Sequence, residues 1–376
     1  MKADKTFARI ACIAGVALMG AMGSSPGQPS HAPVPSGMPR YAHIFVLIEE
    51  NHTTSEIVPN ADAPNLTRFA QSYGFAVHFY AERHPSEPNY VAILGGDTFG
   101  IGDDDAFWCK PLMKDPACAS AATAGYVDHT VAAPGLAGQL AAHRLTWKGY
   151  FEDIPAPGSR AFRWPAPGQP VAGKPFGLYA AKHNGFMNFK DVQDDPALAQ
   201  KIAGFDALAR DLASGDVPNY AQIVPNQCDD MHGLSGPDVP PDCTTAAPSK
   251  LVARGDAVAG RLVAEIMASP VWARPENSAI VITFDENDME HPGSQPAGCC
   301  GSAPGNANNP GGGWIPTIVI TNHGPRNLAD FTPYNHYSLL RTTEDAFGIG
   351  EHLGHAADDA SGVQDMTGLF AVSPAK

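Results

Sequence analysis

The sequence predicts an α/β protein built on a largely parallel sheet. Three observations predict it. Apolar runs of strand length alternate with segments of helical period, the pattern of strands joined by crossover helices. Two of those runs, residues 43–48 and 279–284, stop at the acidic pairs Glu49-Glu50 and Asp285-Glu286, each followed by asparagine. In an open α/β sheet, ligands bind outside the carboxyl ends of the strands, so these two distant ends can meet at one site. Finally, no internal repeat and no clean boundary divides the chain.

The elements follow in order. Residues 1–32 read as a cleaved signal peptide: Lys2, Lys5 and Arg9 precede the apolar stretch 10–19, and small residues with Pro, Ser and Gly follow. That stretch is short and rich in Gly and Ala, so no transmembrane anchor is expected. A linker, 33–41, leads to the first strand. Residues 65–73 read as a helix closed by Gly74 as its C-cap, followed by a strand at 75–80. His84-Pro-Ser-Glu-Pro-Asn-Tyr-Val-Ala-Ile-Leu-Gly95 reads as a loop entering a helix, with proline in the first turn. Residues 97–130 look like a disulfide-held insertion. Next come a helix at 136–144, a strand at 147–152, a Pro/Gly-rich loop at 155–175, a helix at 206–214 ended by Gly215, and a strand at 220–224. Residues 251–268 have helical period. Strands at 279–284 and 315–321 flank a loop at 287–313, and 335–347 is a helix opened by Asn335-His336. Residues 42–376 are thus expected to form one domain with insertions near 97–130 and 287–313.

Composition narrows the function. Lys and Arg number 24 against 39 Asp and Glu, a net charge of −15. That balance argues against nucleic acid or an anionic membrane as the partner. Of seven cysteines, Cys12 falls in the signal peptide. The even remainder fits disulfides in a secreted or periplasmic protein. Cys109–Cys118 and Cys228–Cys243 are the simplest pairs. A vicinal Cys299–Cys300 bridge is strained and uncommon, which favours partners elsewhere for each, but six cysteines allow fifteen pairings and the sequence does not choose among them.

Glu50, Asn51, Asp285 and Glu286 offer hard oxygen donors to a divalent metal. Such donors suit Ca, Mg or Mn, and a histidine would admit Zn or Fe. The plain alternative is that each acidic pair caps a strand where the chain reaches water. Ser86 lies where loop meets helix, a place whose unpaired N–H groups and dipole favour an anion. A hydroxyl there becomes a nucleophile if a metal lowers its pKa. The commonest use of serine at that place is as an N-cap, and no G-x-S-x-G elbow surrounds it. His84, His232 and His336 stand near these segments and suit binding or protonation of a phosphoryl group. His291 and His323 lie in loops and rank lower.

Five motifs occur in order: Glu49-Glu-Asn51, His84-Pro-Ser-Glu-Pro-Asn-Tyr90, Pro225-Asn-x-Cys-x-Asp-Met-His232, Phe284-Asp-Glu286 and His336-x-Ser-Leu-Leu-Arg-Thr-x-Glu-Asp345. Together they resemble the phosphoesterase family of bacterial and fungal acid phosphatases and phospholipases C, within the alkaline-phosphatase-like superfamily. Trp147-Lys-Gly-Tyr-Phe-Glu-Asp153 and Tyr179-Ala-Ala-Lys-His-Asn184 are lesser matches. The resemblance spans about 42 to 348. It implies a three-layer α/β/α sandwich with a metal at the strand ends. It places Glu50, Asn51, Asp285 and Glu286 as metal ligands and Ser86 as the nucleophile, its hydroxyl also touching the metal. His232 and His336 are then expected to be catalytic, and His84, Asn89 and Asp230 to contact substrate. The chain departs from the phospholipase branch. It has Glu50-Asn-His-Thr-Thr-Ser55 where that branch shows Glu-Asn-Arg-Ser-Phe, and Asn287-Asp-Met-Glu-His291 where a Gly-Gly-Phe-Phe-Asp-His stretch is usual.

The leading expectation is a secreted, metal-dependent phosphomonoesterase of acid phosphatase type, working on small phosphate esters through a phosphoserine. The alternatives are a phospholipase C acting on a phospholipid and, in another class, a calcium-stabilised exported binding protein. The 287–313 loop directly follows an acidic pair. It is therefore expected to lie over the mouth of the site and to favour small or exposed phosphomonoesters over bilayer lipids.

Overall fold

The computed structural model describes residues 37–289, 294–295, 297–302 and 311–372. The signal-peptide assignment, Cys12 and His291 lie outside the described residues. Eight strands form the main sheet: β1 (His43–Glu49), β2 (Gly74–Ala81), β3 (Trp147–Phe151), β4 (Ile202–Ala203), β5 (Tyr220–Val224), β6 (Ser278–Phe284), β7 (Gly313–Thr321) and β8 (Leu328–Asn335). Their spatial order is β8-β2-β7-β6-β1-β5-β3-β4. All neighbours are parallel except β7, which runs antiparallel to β2 and β6.

Every residue of β1, β5 and β6 is buried. Such unbroken apolar runs are what parallel strands need when both faces of the sheet are covered. The principal helices are α1 (Pro64–Ser72), α2 (Glu87–Gly95), α3 (Leu136–Ala142), α4 (Phe205–Ser214), α5 (Pro248–Ala268) and α6 (His336–Phe347). α1 packs against α5, and α2 against both α3 and α6. One hydrophobic core runs through the sheet, from Met38 to Phe370. Among the described residues no helix is long and apolar enough to cross a membrane.

Local chemistry sets the ends. The Asn335 side chain accepts from Ser338 N at 3.0 Å and opens α6. Gly215, at φ 71°, closes α4. Gly74 does something other than cap α1: it begins β2, where an added Cβ would come within 2.9 Å of the Leu369 side chain. Close approach, not a left-handed turn, requires glycine there. β8 has no counterpart in the expected elements. Its exposure alternates along most of its length, as befits an edge strand whose apolar residues are interrupted by Asp330, Thr332 and Pro333. Residues of the expected linker also pack down, since Tyr41 is buried and its hydroxyl donates to Phe370 O at 2.7 Å.

Cys109–Cys118 and Cys228–Cys243 are paired as expected. Cys299 and Cys300 correct the expectation that each would reach elsewhere: they are bonded to one another. The other four described cysteines close their own local loops, so these two have only each other.

Candidate active site

The three central strands deliver the site. β1 and β6 are parallel and in register, with Glu49 opposite Phe284. The residues that follow, Glu50-Asn51 and Asp285-Glu286, therefore leave the same sheet edge side by side. Asp285 N donates to Glu49 O at 3.1 Å. β5, on the other side of β1, leads into the loop whose Asp230 O accepts from Glu50 N at 2.7 Å. Asn51 sits at φ 36°, a conformation that asparagine tolerates better than most residues. Its Nδ2 donates to Glu286 Oε1 at 2.7 Å and its N to Asp285 Oδ1 at 3.3 Å.

Ser86 occupies the N-cap position of α2, yet its side chain makes no capping bond. Its Oγ instead lies 3.2 Å from Glu50 Oε2, 3.2 Å from Glu286 Oε1 and 3.1 Å from Lys182 Nζ. The N–H of Glu87, next in the helix, is taken by Asp104 Oδ1 at 3.0 Å. The hydroxyl is thus held away from the helix and towards the carboxylates.

The other anticipated residues divide into two groups. His84 pairs through Nδ1 with Glu286 Oε2. His232 donates from Nδ1 to Gly233 O at 2.7 Å, leaving the Nε2 lone pair to face Lys182 Nζ at 3.3 Å. Burial and the Lys182 charge push His232 down to about 3, so this ring is neutral. Asp230 Oδ1 accepts from His232 N at 2.8 Å, and Oδ2 lies 3.5 Å from His183 Nδ1. These three stand at the cluster.

Asn89 and His336 stand behind it. Asn89 is fully buried, and its amide is taken up by the backbone of Glu82, Arg83 and Pro85. His336 is also fully buried. Its Nε2 donates to Phe284 O at 3.0 Å, one residue before Asp285, and its N donates to Glu82 Oε1 at 3.1 Å. Burial pushes His336 down to about 4.

Sequence reasoning assigned no role to several residues of the site. Lys182 is the main one. Burial works against its charge, but Asp104, Glu50, Asp285 and Glu286 outweigh that and hold its pKa above the ordinary value. His183 Nε2 lies 3.1 Å from Glu50 Oε1, and its ring stacks on Tyr90 at 5.3 Å. Tyr90 donates to Glu50 Oε1 at 2.7 Å. Asp104 accepts from Lys182 at 3.3 Å. His129, buried between Glu87 Oε1 at 2.9 Å and Asp103 Oδ1 at 3.1 Å, fastens the 97–130 insertion to the start of α2. The run Tyr179-Ala-Ala-Lys-His-Asn184 was the available signal for Lys182 and His183. Nothing in the Asp103-Asp104-Asp105 run separates it from solvated surface charge.

The cluster's electrostatics are one-sided. Burial, and then Asp285, raise Glu50 well above the carboxylate range; burial, and then Glu286, do the same to Asp285. Asp230 is raised by burial and then by Glu50. Asp230 Oδ2 and Asp285 Oδ2 are buried with no hydrogen-bond partner. Unpaired buried carboxylate oxygens are costly unless a cation or a proton answers them. Among the described residues, no group of three or more His, Cys, Asp or Glu side chains is placed so that it could hold a metal ion by itself. The donor chemistry nonetheless fits a hard divalent cation, with carboxylate oxygens turned inward beside an amide and a hydroxyl.

Known proteins are similar to this chain in sequence and in fold. The phosphatidylinositol-3-phosphatase of Mycobacterium tuberculosis is 27% identical over 333 residues, covering 89% of this chain and 85% of its own length. The phosphate-repressible acid phosphatase of Penicillium chrysogenum is 25% identical over 306 residues, covering 81% of this chain and 59% of its own. The crystal structure of an alkaline phosphatase superfamily protein from Vibrio parahaemolyticus covers 86% of this chain and 71% of its own, with 11% identity and a TM-score of 0.50. The fold therefore has neighbours in that superfamily. The Phosphoesterase family matches residues 45–350, and the chain belongs to that family, as a hydrolase acting on phosphoric esters.

Proposed function

We propose that the chain is an exported, metal-assisted phosphomonoesterase of acid phosphatase type, with Ser86 as its covalent nucleophile. The observation that carries this reading is the Ser86 hydroxyl, uncapped at a helix start and set between Glu50, Glu286 and Lys182. In this reading residues 1–32 are removed on export to the periplasm or medium. Residues 42–376 then form one phosphoesterase domain.

Glu50, Asn51, Asp285 and Glu286 would hold the divalent metal, with Ser86 Oγ beside it. When bound, the metal supplies charge that lowers the pKa of the hydroxyl and is shared with the phosphoryl oxygens. The chain's own residues do the rest. Ser86 gives its proton to a neighbouring carboxylate and its Oγ forms a bond to phosphorus, as the bond to the leaving oxygen breaks in line. His84, the partly exposed imidazole, returns a proton to the leaving oxygen. Lys182 orients Oγ and neutralises charge on the transferring group, while His232 fixes the ammonium through its lone pair. Asp230 fixes His232 and His183. Asn89 and His336 shape the backbone on which Ser86 and Asp285 stand. Water then hydrolyses the phosphoserine, releasing phosphate and restoring the hydroxyl.

The name of the mycobacterial relative makes a phosphomonoester on a lipid headgroup a second substrate reading. The test is phosphate release from p-nitrophenyl phosphate by metal-stripped and reconstituted protein, beside phosphatidylinositol 3-phosphate and phosphatidylcholine vesicles. Metal-dependent release is expected, with Ser86→Ala reducing kcat about 10⁴-fold or more. A Ser86→Ala variant within tenfold of wild type sinks the nucleophile assignment. Full metal content in Asp285→Ala or Glu50→Ala sinks the metal site.

A further inference from the structure

Beside the cluster lies a cleft of about 310 Å³ lined by Thr53, His78, Tyr80, Gln295, Ala297 and Trp314. Both of its walls are tied to the site. Thr53 is two residues past Asn51, and two residues span at most about 7 Å. Trp314 follows Gly313, where an added Cβ would strike the Asn287 amide at 2.1 Å, and Asn287 follows Glu286. The rings are held in place. Tyr80 and Trp314 face each other directly across the β2–β7 pair. Trp314 Nε1 donates to Val77 O at 2.7 Å, and Trp314 O accepts from Thr53 Oγ1 at 2.9 Å. His78 is braced by Phe331, through O at 3.1 Å from Nδ1 and edge-on ring contact at 5.9 Å. Gln295 and Ala297 come from the described part of the loop that follows the second acidic pair.

We propose that this cleft binds a planar heteroaromatic group, of the nucleobase kind, on the leaving-group side of the scissile phosphate ester. The proposal rests on the reading of Ser86 as the site of phosphoryl transfer. The lining favours that occupant on two counts. Tyr80, Trp314 and His78 put three aromatic side chains in the lining, and a flat ring stacks on such side chains regardless of its substituents. Gln295 adds a side-chain amide to the lining, suited to the edge of a heterocycle. Its volume stands at the low end of ligand pockets, enough for a ring system and too little for paired acyl chains.

Adenosine 5′-monophosphate and ribose 5-phosphate share the same primary ester, so comparing them isolates the base from leaving-group chemistry. Wild-type protein should favour the nucleotide by about tenfold or more in kcat/KM, a size set by ring stacking. Trp314→Ala and Tyr80→Ala should each erase about fivefold or more of that preference through KM. Ribose 5-phosphate turnover should stay level, which also reports an intact fold, and Trp314→Phe should restore the preference. Equal use of the two substrates by wild type, or a preference that survives both alanine variants, overturns the cleft assignment. If wild type hydrolyses no phosphomonoester, the phosphomonoesterase reading fails instead. Calorimetric titration with adenosine then reads the cleft without turnover: binding that Trp314→Ala abolishes supports it, and absent or unchanged binding refutes it.

Discussion

Asn89 offers the sharpest separation between touching substrate and shaping the nucleophile's loop. Its Oδ1 accepts from Glu82 N at 3.0 Å and Arg83 N at 3.1 Å, while Nδ2 donates to Arg83 O at 2.6 Å and Pro85 O at 3.3 Å. Asn89→Leu keeps the branched shape and the number of heavy atoms, so no cavity is opened. It leaves those backbone groups without partners in a fully buried place. Each orphaned buried group costs about 1–3 kcal/mol. Arg83 is only partly buried, so water recovers some of its loss, and the net destabilisation should be about 3–5 kcal/mol. Asn89→Asp keeps the acceptor and loses the donors, so it should show a smaller loss. Activity should fall as well, because a nucleophile displaced by about 1 Å costs on the order of 10²-fold. Urea denaturation and steady-state kinetics on the same preparations read both effects. A variant with wild-type stability and kcat but a raised KM would refute the reasoning and make Asn89 a substrate contact.

Other consequences are as direct. Lys182→Met removes the ammonium beside Ser86 and should lower kcat by about 10²–10³-fold, the range for a lost charge-stabilising donor; a loss below fivefold would remove Lys182 from the chemistry. Reduction of Cys228–Cys243 loosens the loop bearing Asp230 and His232, so activity should drop before helical circular dichroism does; simultaneous loss would contradict that order. Stability should decline as pH rises from about 6.5 to about 8, above the range in which His232 and His336, pushed down to about 3 and about 4, work in the opposite direction. Burial pushes Glu82, Glu152 and Glu344 each up to about 8 from an ordinary 4.5. Between those values the native state holds more protons than the unfolded chain, so the stabilisation is complete below 4.5 and lost as pH rises through 8. Thermal midpoints at pH 6.5 and 8 measure the slope, and Glu82→Gln should flatten it; a midpoint higher at pH 8 would reverse the sign.

Much of this protein was legible in the residues alone. Strand runs ending at Glu49-Glu50 and Asp285-Glu286, alternating with helical segments, pointed to the α/β class, because strand and helix periods are local properties of the chain. Two disulfides followed from short spacings, and the ordered motifs pointed to the family. The edge strand β8 was invisible because Asp330, Thr332 and Pro333 interrupt its apolar residues, and an edge needs no apolar run. Tertiary structure decided what spacing cannot express. The in-register pairing of β1 with β6 put Glu50 beside Asp285. The long reach of the chain brought Lys182 to Ser86 Oγ, although neither segment carries a period or motif that names the other. It also turned Ser86 away from its own helix, and put Asn89 and His336 behind the cluster. A side chain's partners depend on which distant backbone lies against it, and a linear pattern carries that only where a local period fixes the face.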